Sequence, residues 1–190
     1  MLNHIDNLYA VRDILNQNKM VICPAYNEWS VICDPLMVEK FEAFNQKGPC
    51  ILDFPIVLLV NNFVQLKHFI KSVHPRIETL LLYHDRPVNV IYKAKKWVPL
   101  HLCNKENKIL IRITKNENLR DLIAMRKRPL GCYPVHNIKN NKSEPYSEIP
   151  RYWRSRLDYI FPEFNSRDWS ASPPQTLSFN KKGDLFFHVE

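Results

Sequence analysis

The run Pro55-Ile-Val-Leu-Leu-Val60 limits what this chain can become more than any other stretch. It is a continuous apolar segment of strand length, bounded by proline and by Asn61-Asn62. A strand with one wet face would alternate apolar and polar residues, so this one is expected at the centre of a sheet covered on both faces. That is the signature of an α/β protein. Val88-Asn-Val-Ile-Tyr92 and Ile109-Leu-Ile-Arg-Ile113 add two further strands by length and β-branching.

Helical signals alternate with these strands. Ile5, Leu8, Tyr9, Ile14 and Leu15 fall at helical spacing, predicting an amphipathic helix over 4–17. Met20–Pro24 reads as a short buried strand, then a polar turn, with Asp34 as N-cap and Pro35 opening a helix that Gly48-Pro49 ends. Asn62 is expected to cap the next helix and Pro75 to begin another. Asn116 to Met125 reads as a helix whose basic end is Arg126-Lys-Arg128. Pro129–Tyr133 and Leu157–Phe161 are predicted strands, and 175–179 with 185–189 form a hairpin whose turn holds Gly183. Residues 137–146 read as an exposed loop. The expected architecture is one mixed α/β domain over 1–190 with six to eight strands.

No apolar run approaches the roughly 20 residues needed to cross a bilayer. The start lacks the basic flank and apolar segment of a secretory signal, which places the chain in the cytoplasm. Five widely spaced cysteines with no Cys-x-x-Cys are expected to be reduced thiols, with no zinc site. His84, Asp85, His101, His136 and Asn137 lack ligand spacing, so no metal and no acid/base set is assigned.

Charge is uneven. Residues 1–60 carry 4 Lys+Arg against 7 Asp+Glu, whereas 86–156 carry 17 against 5, a local net of +12. Lys93, Lys95 and Lys96 flank Trp97; Arg126, Lys127 and Arg128 lie near Tyr133; Arg151, Arg154 and Arg156 surround Tyr152 and Trp153. Cations interleaved with aromatics suit phosphate contact with base stacking, which makes Lys93, Lys95, Lys96, Arg126, Lys127, Arg128, Arg151 and Arg154 the RNA-binding candidates. The structural alternative is that Trp97 and Trp153 are packed residues and the charges are merely solvated.

The stretch Cys23-Pro-Ala-Tyr-Asn-Glu-Trp-Ser-Val-Ile-Cys-Asp34 has the frame Tyr-Pro-Thr-Asp/Glu-Thr-Val-Tyr/Trp-Gly-Leu/Ile-Gly-Cys-Asp. Asp85-Arg-Pro-Val-Asn-Val-Ile-Tyr92, Ile109-Leu-Ile-Arg-Ile-Thr114, Arg128-Pro-Leu130, Leu157-Asp-Tyr-Ile160 and Pro174-Gln-Thr-Leu177 match five further motifs in order. In these fragments the chain resembles the YrdC-like family, the threonylcarbamoyl-AMP synthases of tRNA modification. The resemblance implies a twisted mixed parallel/antiparallel sheet with flanking helices and a basic concave face regarded as a surface for double-stranded RNA or tRNA. It also implies a site for ATP (with magnesium) and threonine, and its positions fall on Asn27, Lys47, Asn89, Arg112 and Asn137.

The departures are polar. The family's threonines and glycines in the first motif are Ala25, Asn27, Ser30 and Ile32; its Lys-x-Arg pair leaves only Lys47; its Ser-Thr-Ser-Ala-Asn is Cys132 to Asn137; its late arginine is Val189. Such groups position phosphates and carboxylates, each charge-assisted bond contributing roughly 1.5–3 kcal/mol. The expectation is a homologue that binds RNA, ATP, AMP or threonine with synthase activity weak or lost. A rebuilt active synthase and a module for an acidic protein partner are the alternatives.

Overall fold

The computed structural model describes residues 4–25, 28–36, 54, 56–84, 86–134, 157–161 and 174–188. In chain order the elements are α1 (His4–Asn16), β1 (Val21–Ala25), β2 (Glu28–Cys33), β3 (Val57–Val60), α2 (Phe63–Phe69), α3 (Pro75–Tyr83), β4 (Val88–Lys93), a 3-10 turn at Leu100–Leu102, β5 (Lys108–Ile113), α4 (Glu117–Arg126), β6 (Leu130–Pro134), β7 (Tyr159–Ile160), β8 (Gln175–Phe179) and β9 (Leu185–His188). The nine strands form one mixed sheet in the order β7-β1-β2-β6-β3-β5-β4-β8-β9, one strand more than the upper bound expected.

The apolar run lands where its pattern demands. All four residues of β3 are buried, with β5 parallel on one side and β6 antiparallel on the other. Strand alternation divides the core in two. Leu58, Val60, Val90, Tyr92, Ile109 and Ile111 pack with α2 and α3 through Leu66, Phe69 and Ile77. Val57, Leu59, Leu110, Leu130 and Cys132 pack on the opposite face with α1 and α4 through Leu8, Val11, Leu15, Leu119, Leu122 and Ile123.

Local signals set the helix starts. The Asn62 side chain accepts from Gln65 N at 2.9 Å, and Asn116 accepts from Leu119 N at 3.0 Å, each satisfying an N–H that the first helical turn leaves open. Pro75 occupies the first turn of α3 behind His74, whose Nδ1 accepts from Arg76 N at 3.3 Å.

One expectation is corrected. Residues 28–33 are not an open turn between a strand and a helix; they form β2, antiparallel to β1 from Val21↔Ile32 to Ala25↔Glu28. Trp29, Val31 and Cys33 face the α2/α3 core and Ile32 faces the other. That period of two was hidden by the polar residues at its start. The helix predicted after Pro35 lies outside the described residues, although Asp34 Oδ1 does accept from Leu36 N at 3.0 Å.

Gly131 and Tyr92 give opposite stability tests. A Cβ on Gly131 would sit 2.3 Å from Ile56 Cδ1, inside a packed core. Gly131→Ala is expected to destabilise by about 1–3 kcal/mol in chemical denaturation. The Tyr92 hydroxyl is buried with no partner among the described residues, and burial, then the Glu78 charge, push its ionisation far above the ordinary phenol range. Tyr92→Phe is therefore expected to leave stability unchanged or raise it by about 1 kcal/mol; a clear loss would show that the hydroxyl is satisfied.

Candidate functional site

Arg112 lies on β5, two residues from Leu110, so alternation sends it to the α1/α4 face. It is only 2% exposed, and its Nη2 lies 3.8 Å from Cys132 Sγ as a donor. Val90 stands opposite Ile111; continuing that register one step sets Asn89 opposite Arg112. Asn89 is in turn opposite Thr176 on β8, and its Nδ2 donates to Thr176 Oγ1 at 3.2 Å. A buried polar row, Arg112–Asn89–Thr176, thus crosses three adjacent strands. Arginine does not shed its proton in a protein, so this face carries a fixed positive charge in its interior.

Two of the five nucleotide-site candidates, Asn89 and Arg112, are therefore neighbours. Asn27, Lys47 and Asn137 lie outside the described residues. Thr176 was not singled out, though its signal was present: it lies within the Pro174-Gln-Thr-Leu177 fragment that carries the resemblance. The first-motif positions are also informative. Ser30 and Ile32 are fully buried, and Ile32 stands opposite Cys132 in the β2–β6 ladder, beside the sulfur that the guanidinium approaches.

The RNA candidates have diverse fates. Arg126 is corrected: its side chain is 1% exposed and Nη2 contacts Asp34 Oδ2, itself 2% exposed, at 2.7 Å, while Nε donates to Asn16 Oδ1 at 3.0 Å. It is a buried clamp joining α4, α1 and the end of β2, its charge taken up by Asp34. Lys127 is exposed and takes the left-handed helix cap with φ 54°. Arg128 is exposed, with Nη1 3.6 Å from the same Asp34 oxygen. Lys93 and Lys96 are exposed. Lys95 is half-buried, its ammonium donating to Lys67 O at 2.6 Å. Trp97 is 54% exposed, stacked obliquely on Phe69 with ring centroids 5.1 Å apart. Arg151 and Arg154 lie outside the described residues.

These cations do not form one patch. Lys93 stands opposite Lys108 at the start of β5, whereas Leu130, just after Arg128, is level with Leu59 and Arg112. Four residues of β5 separate those levels, about 13 Å along the strand. Among the described residues no group of three His, Cys, Asp or Glu could hold a metal ion; His84 accepts locally from Arg86 N, and His101 makes a long-range bond to Pro35 O. No described helix is long and apolar enough to cross a membrane. Cys23, Cys33, Cys103 and Cys132 are reduced cysteines outside any disulfide, with burial raising the Cys103 thiol above its ordinary range; Cys50 is outside the described residues.

No family model matches the chain. Threonylcarbamoyl-AMP synthase of Escherichia coli O1:K1 / APEC is 22% identical over 187 residues, 95% of each chain. The Shigella flexneri synthase is 22% identical over 170 residues, 80% of this chain and 88% of that one. Among solved structures, E. coli YciO aligns with a TM-score of 0.76 at 14% identity, covering 96% of this chain and 88% of that one. A variant of P. abyssi Sua5 aligns at 0.74 and 14% identity over 97% of this chain but 54% of its own length, so the chain spans about half of that protein. The chain is similar to these synthases over most of its length and has the fold of YciO and Sua5. It shares the strands of that fold and differs at most polar positions of the motif quoted above.

The buried ion pair generates a test that separates scaffold from surface. Arg126→Met leaves Asp34 without its closest cationic partner and is expected to cost about 3–5 kcal/mol in urea unfolding. Adding Asp34→Leu should restore much of that loss. If Arg126→Met keeps full stability, the clamp is not structural.

Proposed function

We propose that residues 1–190 form a single YrdC-like domain that holds RNA or a nucleotide on its basic surface, with threonylcarbamoyl-AMP synthesis weak or lost. The observation that carries this reading is the filling of the first motif. Where related sequences have two glycines, this chain has Ser30 and Ile32, both wholly buried. Ile32 packs on the same face as Arg112 and is itself the strand partner of Cys132. A glycine leaves room for a ligand to approach the backbone; an isoleucine packs into that space.

What survives is electrostatic. The Asn89–Thr176 pair and the Arg112 charge favour an anionic group on this face. Lys93, Lys96 and Lys127 are exposed and make no ion pair with any described residue, leaving them free to neutralise phosphates. The P. abyssi Sua5 structure complexed with L-threonine, 15% identical with a TM-score of 0.65, supports threonine as a ligand to be tested rather than assumed.

Two measurements test the proposal. Pyrophosphate release with ATP, threonine, bicarbonate and magnesium is expected at least about a hundredfold below an ordinary synthase, since several charge-assisted contacts are gone. Transfer RNA binding is expected to weaken steeply with salt, and Lys96→Ala or Arg128→Ala should each flatten the log–log slope by about one. Turnover near that of an ordinary synthase would overturn the first half, and salt-insensitive or absent RNA and nucleotide binding the second, favouring an acidic protein partner.

A further inference from the structure

A cavity of about 800 Å³ opens at the far edge of the sheet and shares no lining residue with the Arg112–Asn89–Thr176 row. Its origin is a fork. β4 and β8 are paired from Val88↔Gln175 to Val90↔Leu177, but β4 runs on to Lys93 and β8 to Phe179 with no further pairing to each other. The end of β4 is taken instead by the segment after α2: Ile70 bridges Ala94, and Lys71 N donates to Lys93 O at 3.3 Å. The strands part, and the gap between them is the cavity.

Its wall is cationic and its floor aromatic. Lys71, Lys93, Lys108 and Lys181 line it, and no described carboxylate does. Lys93 and Lys108 stand directly opposite on neighbouring strands, an arrangement that disfavours the fold unless an anion lies nearby; Glu106 pairs with Lys108, while Lys93 has no ion-pair partner among the described residues. Tyr92 and Phe179 meet edge to face beneath, with ring centroids 5.2 Å apart, and Phe186 is 51% exposed at the rim.

The wall is also held in place. The β8–β9 turn that carries Lys181 is tied by Asn180, whose Oδ1 accepts from Lys182 N at 2.8 Å and Asp184 N at 3.0 Å. Gly183, at φ +84°, lies against the His74 ring so closely that a Cβ would be 2.3 Å from it. Cations around a space this size, with an exposed ring beside them, match a flat base joined to a phosphate.

We propose that the β4–β8 fork is a nucleotide site, taking either a free nucleoside monophosphate or an unpaired nucleotide of an RNA strand. This goes beyond the basic-surface reading above, with which it shares Lys93 but none of Arg112, Asn89 and Thr176. The test uses the full chain and two probes, AMP and a single-stranded adenosine octamer, in equilibrium dialysis at low salt. Lys93→Glu with Lys181→Glu is expected to weaken the bound probe by about tenfold or more, and Phe186→Ala by roughly fivefold or more, both with an unchanged melting curve. Arg112→Lys should leave this binding in place, which separates failure of the fork from failure of the cleft. Binding of both probes identifies the free nucleotide as sufficient; binding of the octamer alone identifies the strand. Equal affinity in wild type and the double reversal, no binding of either probe, or inorganic phosphate competing as well as AMP would overturn the assignment.

Discussion

Everything in this structure follows from a central parallel pair that must be dry on both sides. β3 and β5 lie side by side with β6 and β4 beyond them, and helices cover each face of the sheet. A strand in that position has no solvent side to which a polar residue can be sent. Arg112 is therefore interior by geometry rather than by preference, since Leu110 on the same strand fixes which face it shares. A permanent charge held there sets the electrostatic character of the whole face and makes the neighbouring Asn89–Thr176 pair more than a packing detail.

A second constraint explains why one basic run has three fates. Arg126, Lys127 and Arg128 are consecutive, yet the first is sealed against Asp34, the second caps α4 in a left-handed conformation, and the third reaches out over the same carboxylate. A helix end turns the chain sharply, so adjacent residues leave in different directions. The clamp joins α1, β2 and α4 through Asn16, Asp34 and Arg126. A carboxylate in that position would be costly without its guanidinium, which is why the run's charge count overstated what is available to a partner.

The sequence made the framework legible where one physical rule acted alone. Apolar length placed β3, asparagine caps placed α2 and α4, and the Gly183 turn placed the β8–β9 hairpin. It failed at β2, where Trp29, Val31 and Cys33 alternate as a strand should but the polar start of the segment argued for a turn. Two of the three residues in the polar row were legible too, because Asn89 and Arg112 fall on resemblance positions. The fork was not. Lys71, Lys93, Lys108 and Lys181 are spread over more than a hundred residues, and only the parting of β4 from β8 brings them to one space.

The replacements in the first motif bear on what such a scaffold can lose. Stability here comes from two apolar layers and a few caps, none of which involves the threonines and glycines that related sequences place at positions 25, 27, 30 and 32. Ile32 shows the direction of change: a side chain fully buried against β6 adds apolar contact and so favours the fold, while it occupies space beside the Arg112 guanidinium. Substitution at these positions can thus strengthen packing as it dismantles chemistry. The exposed lysines obey a different rule, since surface charge costs little to keep and little to move. A domain under those two rules holds its sheet and its exposed cations whatever happens to the polar positions of that motif.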